Sequence, residues 1–182
     1  MNNIHPDLAL ECKAKTSPVV VGCIETLSQG YEFLERLSDD DYVYVAQPHV
    51  SSSIGEHYRH WIDLFQAIQH QSGKIDYNVR RRGHRVERNI SLAKQEIAEL
   101  IQWLFNVPHQ QLNQNVCVEM EMMLSQTHSE EVRSTLAREL TFATLHATHH
   151  FAMAKVVASL CGVQTQASFG VAPATASYQR AQ

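Results

Sequence analysis

His146 and His150 stand four residues apart in LHATHHFAM, inside a long run, 134–163, without a helix breaker before its end. At about 100° per residue, Phe142, His146, His150, Met153, Val157 and Leu160 fall within about 40° of one meridian of a helix. That meridian is the apolar one, so the reading is that both imidazoles point into the core. Residues at i and i+4 lie one turn apart on one side of a helix. The pair can therefore share a metal ion if a third ligand arrives from another element. His149 lies about 60° away, on the flank.

The third ligand is sought in SSSIGEHYRHWIDLFQAI, residues 51–68. Ile54, Tyr58, Trp61, Phe65 and Ile68 form a stripe at helical spacing, and His57 sits about 60° from its centre. His60 is turned about 60° further out. His57 is thus selected with His146 and His150, while His60 and His149 each adjoin a selected ligand and stay open as substitutes. Three neutral imidazoles leave coordination positions for water or substrate, as in a catalytic rather than a closed metal site. Zinc, nickel and iron all accept imidazole, and ligand type does not choose among them. Against this stands the plain alternative. In a chain with 11 histidines a spacing of four arises by chance, and an inward histidine is ordinarily a hydrogen-bonded core residue.

The elements that must position these residues follow from caps and periods. Ser17 and Pro18 read as an N-cap and first helical position, opening a first helix over 19–37. The acidic run at 39–41 reads as a solvated helix exit, and VYV at 43–45 as a short extended segment. Ser53 and Glu56 have capping-box spacing, which starts a second helix just before His57. Asn89 caps a third helix, 90–107, stopped by Pro108. Val116, Val118, Met120 and Met122 alternate with Cys117, Glu119 and Glu121, the period of a strand, which returns through 130–133 as a hairpin. Ser134 or Thr135 caps the fourth helix and Gly162 ends it. Residues 1–16 read as a loose arm, and 163–182 as a tail along the surface.

Several side chains have two readings. KIDYNVRRRGHRVERN, 74–89, holds five arginines and one lysine. It is either a solvated loop tied down by ion pairs or a segment whose arginines, Arg80 and Arg82 among them, line the mouth of the metal pocket and hold an anionic substrate. Glu139 lies about 20° from the His146 meridian, two turns before it. It could orient a ligand imidazole or act as a base, or it is an acid favoured by the helix N-terminus or paired with Arg138. Tyr58 and Trp61 read as packing, and Asp63 as a surface residue.

A chain of 182 residues suits one domain. Its net charge of -4 offers nucleic acid no general attraction. Four cysteines without CxxC spacing indicate neither a zinc ribbon nor a thioredoxin-type site. With no signal-like N-terminal run and no long apolar span, the expectation is a cytoplasmic protein with no membrane partner. Four amphipathic helices imply an all-α, four-helix bundle.

GEH at 55–57, RHWIDLF at 59–65, STLAREL at 134–140 and LHATHHFAM at 145–153 together resemble the DinB-like family. IDYNVRRR at 75–82 and FGVAPAT at 169–175 extend the likeness over most of the chain. The resemblance implies a single four-helix-bundle domain over 1–182, with long crossover connections and a small β-hairpin between the third and fourth helices. It also implies a divalent metal, zinc, nickel or iron, on His57, His146 and His150, and a homodimer. Where the commonest family motif continues HxxxHRGQ, His150 is followed by FAM, which implies a different pocket wall. The implied activity is thiol-dependent transfer or hydrolysis on a small molecule, with a low-molecular-weight thiol as co-substrate, the metal lowering the pKa of a bound thiol or water. Glu139 would then be a base, and Arg80 and Arg82 substrate ligands. The alternative is a non-catalytic, stress-associated metal-binding or dimeric interaction protein.

Overall fold

The computed structural model describes residues 17–182, so the expected arm at 1–16 lies outside the described residues. Six α-helices and three strands follow in order: α1 Pro18–Leu34, α2 Asp39–Val43, α3 Ile54–Gln69, β1 Lys74–Asp76, α4 Ile90–Phe105, β2 Asn115–Glu121, β3 Ser129–Thr135, α5 Leu136–Leu160 and α6 Pro173–Arg180. Short 3-10 turns at Arg85–Arg88 and His109–Asn113 precede α4 and β2.

The helix starts are built by the expected caps. Ser17 accepts from the Val19 amide, Asn89 from Leu92 and Thr135 from Arg138. Ser53 and Glu56 close a reciprocal capping box at the head of α3. A second such box, Ser38 with Asp41, makes the acidic run the start of α2 rather than a helix exit. Its three aspartates sit in the first turn, where the helix dipole favours them.

Helices α3 and α5 pack together, α1 lies on α4 and α5, and α3 also meets α4. Tyr58, Trp61, Phe65 and Phe151 are fully buried between them, which is the packing role expected of Tyr58 and Trp61. The buried face of α5 differs from the expected one. It runs through Leu140, Ala143, Ala147, Phe151, Ala154 and Ala158, centred about 100° from His146, while Leu160 is half exposed. Small residues let the α5 backbone approach its neighbours closely. Thr144 and Thr148 are buried because their hydroxyls donate to the carbonyls one turn back, at 2.7 and 3.0 Å.

The hairpin between α4 and α5 exists, and it belongs to a three-stranded sheet in the order β1-β2-β3. β2 and β3 are antiparallel, with Val118 opposite Val132. β1 joins β2 in parallel, placing Ile75 beside Val118, both buried. A parallel pair requires a crossover, and the connection here carries the arginine-rich turn and α4. The tail is anchored: Phe169 is 2% exposed and stacks on Phe33 and Phe151, with centroids at 4.2 and 5.1 Å. Gly170, at φ +72°, lies so close to the α5 backbone that a Cβ would fall 2.6 Å from the Ala152 nitrogen.

Asp63 is buried, not on the surface. It accepts from the Arg81 amide at 3.0 Å and from Arg81 Nε at 2.6 Å, and Arg59 approaches it at 3.7 Å. Arg81 also makes a two-pronged contact to buried Glu96 at 3.0 and 2.8 Å. Arg59 Nε donates to buried Glu87 at 2.8 Å. Replacing Arg81 with methionine removes the partner of two buried carboxylates and should lower unfolding stability by about 3 kcal/mol, read by urea denaturation. Gly55→Ala should cost about 2 kcal/mol or more by overpacking, because the added Cβ would lie 1.9 Å from the Glu87 carbonyl oxygen.

Candidate metal centre and adjoining cleft

Four imidazoles meet where α3 crosses α5. His60 Nε2 lies 2.9 Å from His146 Nε2, and His146 Nε2 lies 3.1 Å from His150 Nε2. His57 meets the group from the other side, its Nδ1 2.9 Å from His150 Nδ1. His149 is exposed, and its ring centroid stands 6.2 Å from that of His146. Nitrogen atoms of His60, His146 and His150 all lie within 4.8 Å of one another, so these three could hold a metal ion. Of the histidines selected from sequence, the structure brings His146 and His150 together, sets His60 beside them and puts His57 behind His150. All four ring positions are half-buried at the edge of the core.

The donor set fits a divalent transition ion. A neutral imidazole has one N–H and one lone pair. His146 Nε2 faces two other ring nitrogens, and its single proton or single lone pair cannot complete good hydrogen bonds to both. Three lone pairs directed at one cation remove the conflict. Nitrogens about 3 Å apart are what adjacent ligands about 2.0–2.1 Å from one ion present. Burial first, then Arg80 and the neighbouring imidazoles, pushes His60 down to about 3. Burial and the adjacent imidazoles push His150 down to about 2. His57 and His146 are lowered chiefly by burial. At neutral pH the group is uncharged, the state in which imidazole binds metal.

A cleft of about 240 Å³ opens beside His60 and His146. Tyr77, Asn78, Arg80 and Arg82 line it, together with Phe142, Met120, Leu64 and Glu121. The wall is held by the sheet. Tyr77 N donates to Glu119 O at 3.0 Å, and Asn78 Oδ1 accepts from the Glu121 amide at 2.7 Å. Beyond this point the arginines separate. Arg81 turns into the protein to reach Asp63 and Glu96, and Arg80 and Arg82 line the cleft. Among the described residues neither Arg80 nor Arg82 has an ion-pair partner, whereas Arg59 and Arg81 do. The ion-pair reading of the loop thus holds at Arg81, while Arg80 and Arg82 line the cleft. Burial, followed by Arg82 and Arg59, lowers the pKa of Arg80, and Glu121 and Asp63 oppose the shift without reversing it.

Glu139 is buried near the start of α5, where its Oε2 accepts from the Tyr77 hydroxyl at 2.8 Å and its other oxygen from the Ser134 hydroxyl. Among the described residues no imidazole is one of its hydrogen-bond partners. Burial and then Glu139 raise the Tyr77 pKa, so the phenol stays protonated on the cleft wall. Tyr77, like Asn78, Met120 and Phe142, lines the cleft without having been a site candidate from sequence. Its signal was present in the IDYN segment, but only the pairing of β1 reveals its position.

The chain is thus helix-rich, with a small three-stranded sheet and a three-histidine group able to hold a metal ion. Its fold is that of the DinB-like proteins: it superposes on the crystal structure of a DinB-like protein, YjoA, from Bacillus subtilis with a TM-score of 0.57 and 20% identity, over 82% of this chain and 95% of that one. No protein-family model matches the chain. A stretch of 108 residues, 59% of the chain, is 25% identical to "FK506-binding protein 5" of Rhizopus delemar, and this match spans 28% of that protein's length. No helix among the described residues is long and apolar enough to cross a membrane.

The lowered imidazole pKa values set a direction with pH. Unfolded histidine titrates near about 6.5, so between that value and the folded values the unfolded chain binds more protons. The stabilising contribution is complete above about pH 6.5 and is lost as pH falls through the folded values. Thermal melts of chelator-treated protein should therefore show Tm falling from pH 7 to pH 5. His60→Gln, which cannot titrate there, should flatten that slope.

Proposed function

We propose that this protein is a metal-dependent enzyme acting on a small anionic molecule, with His60, His146 and His150 holding one divalent ion of zinc, nickel or iron. The observation that carries the reading is the convergence of three Nε2 atoms at 2.9 and 3.1 Å next to an open cleft with two unpaired arginines on its wall. We read the helices as a DinB-like four-helix bundle with crossover connections, cytoplasmic and homodimeric.

Such an ion, when bound, supplies Lewis acidity that lowers the pKa of a coordinated thiol or water, the chemistry of thiol-dependent transfer and of hydrolysis. The chain's own residues bind and orient. Arg80 and Arg82 hold the anionic groups of the substrate by charge-assisted hydrogen bonds. Phe142 and Met120 pack on its apolar part. Glu139 accepts a hydrogen bond from the Tyr77 hydroxyl, which orients the phenol on the cleft wall. In this role Glu139 positions Tyr77 rather than acting as the base itself. Cys23 is no rival nucleophile, because burial raises its pKa to about 11.

The second reading is a non-catalytic metal-binding or dimeric interaction protein. A site sealed by apolar side chains would favour it; the open, polar cleft supports the enzyme.

Elemental analysis of untagged protein, prepared without chelator, tests the centre. About one equivalent of a transition metal is expected. It should be lost in His60→Ala and His146→Ala with helical content unchanged, and kept in Arg80→Ala/Arg82→Ala. That double variant should instead weaken calorimetric binding of a dicarboxylate such as succinate by about tenfold or more. No metal in the untagged protein, even after incubation with zinc, nickel and ferrous iron, would sink the proposal.

A further inference from the structure

His57 sits one turn before Trp61 on α3, in the helix's first turn, and its ring reaches the histidine group from outside. Its Nδ1 is 2.9 Å from His150 Nδ1, and this is its one polar side-chain contact among the described residues. Its Nε2 is buried and has no hydrogen-bond partner. The two nitrogens of an imidazole point in diverging directions. His150 turns Nε2 toward His146 and Nδ1 toward His57, so His57 Nδ1 meets the opposite edge of the His150 ring from the one that faces the converging Nε2 atoms.

Tautomers decide what this contact can be. A neutral His150 carries one proton, on Nδ1 or on Nε2. For Nε2 to present a lone pair beside His60 and His146, the proton must sit on Nδ1. It then points at His57 Nδ1, which must accept it, and the proton of His57 goes to Nε2. With the opposite arrangement, His57 Nδ1–H donating, the His150 proton is forced onto Nε2 and occupies the convergence point. A ligating imidazole ordinarily donates its other N–H to an orienting acceptor. No carboxylate or backbone carbonyl hydrogen-bonds the His150 side chain among the described residues; its ring nitrogens meet only imidazoles.

We infer that His57 is a positioning residue, not a ligand: it accepts the Nδ1–H of His150 and so fixes the His150 tautomer whose Nε2 lone pair faces the ion. This rests on the reading that His60, His146 and His150 bind metal.

The test uses the full chain and two variants. His57→Phe keeps the ring's bulk and removes the acceptor. His57→Asn retains a side-chain acceptor near the position of Nδ1. Zinc affinity is measured by competition with a chromophoric chelator, cobalt(II) by its visible spectrum, and the histidine tautomers by ring ¹⁵N NMR. Wild type should bind one equivalent, with His150 protonated on Nδ1 and His57 on Nε2. His57→Phe should still bind one equivalent with a cobalt spectrum of the same form, but about 10–100-fold more weakly, and His57→Asn should recover most of that loss. If His57→Phe binds as tightly as wild type, the contact does not position His150 and the inference fails. If it loses the equivalent altogether, as His60→Ala should, His57 is a ligand and the inference fails differently. Absence of metal binding in wild type would instead overturn the underlying metal reading, and this inference with it.

Discussion

A buried run of charges, Glu87–Arg59–Asp63–Arg81–Glu96, determines where the site's walls stand. Buried carboxylates such as Asp63 and Glu96 are tolerable only when paired and hydrogen-bonded, and a single guanidinium serves both here. Arg81 comes from the crossover between β1 and β2, so satisfying α3 and α4 also pins that crossover onto them. The following turn is clamped as well: Tyr42 donates to the Val86 carbonyl at 2.8 Å, and Gly55 lets the Glu87 carbonyl press against α3. With Arg81 committed inward, its neighbours Arg80 and Arg82 are left on the cleft.

The imidazole group depends on a different constraint, the close approach of α3 and α5. His57 meets His150 and His60 meets His146, so the two helices run in opposite senses at this point. The alanine face of α5 permits the approach, and Phe151 fills the remaining space against Trp61 and Gly30. A Cβ on Gly30 would fall 2.8 Å from the Phe151 ring. The histidines are then at the margin of this contact, buried enough to be neutral and open enough to face the cleft.

Much of this was legible in the sequence, and the failures share a cause. Ser53 with Glu56, Asn89 and Thr135 are local signals, read within four residues, and each capped the helix it announced. HxxxH correctly placed His146 and His150 on one face of α5. Which face was the core is not a local matter. A single-helix projection set the apolar centre at Phe142, His146 and Val157, whereas the neighbours of α5 bury Ala143, Ala147 and Ala154, residues whose small size hides them from a hydrophobic stripe. The same loss of phase affects α3, where the stripe assigned Asp63 to solvent and could separate His57 from His60 by angle alone. Asp63 is buried by a cation 18 residues away in sequence, which no periodicity reveals. β1 is three residues long, too short for alternation, and Phe169 is an isolated aromatic that becomes core only through Phe33 and Phe151.

The charge balance of the cleft links its two halves. Three neutral imidazoles contribute no negative charge to offset a divalent cation, unlike sites that include a carboxylate. Arg80 and Arg82 line the same cleft without ion-pair partners among the described residues, and among the cleft-lining residues Glu121 is the one acid. A cation held there, as proposed above, would be under-compensated, and an anion in the cleft would relieve the repulsion from both the ion and the arginines. By linkage the effect is reciprocal: whatever free energy the anion gains from the cation, the cation gains from the anion. On the proposed reading, three neutral histidine ligands beside Arg80 and Arg82 would therefore favour binding a cation and an anion together over binding either alone.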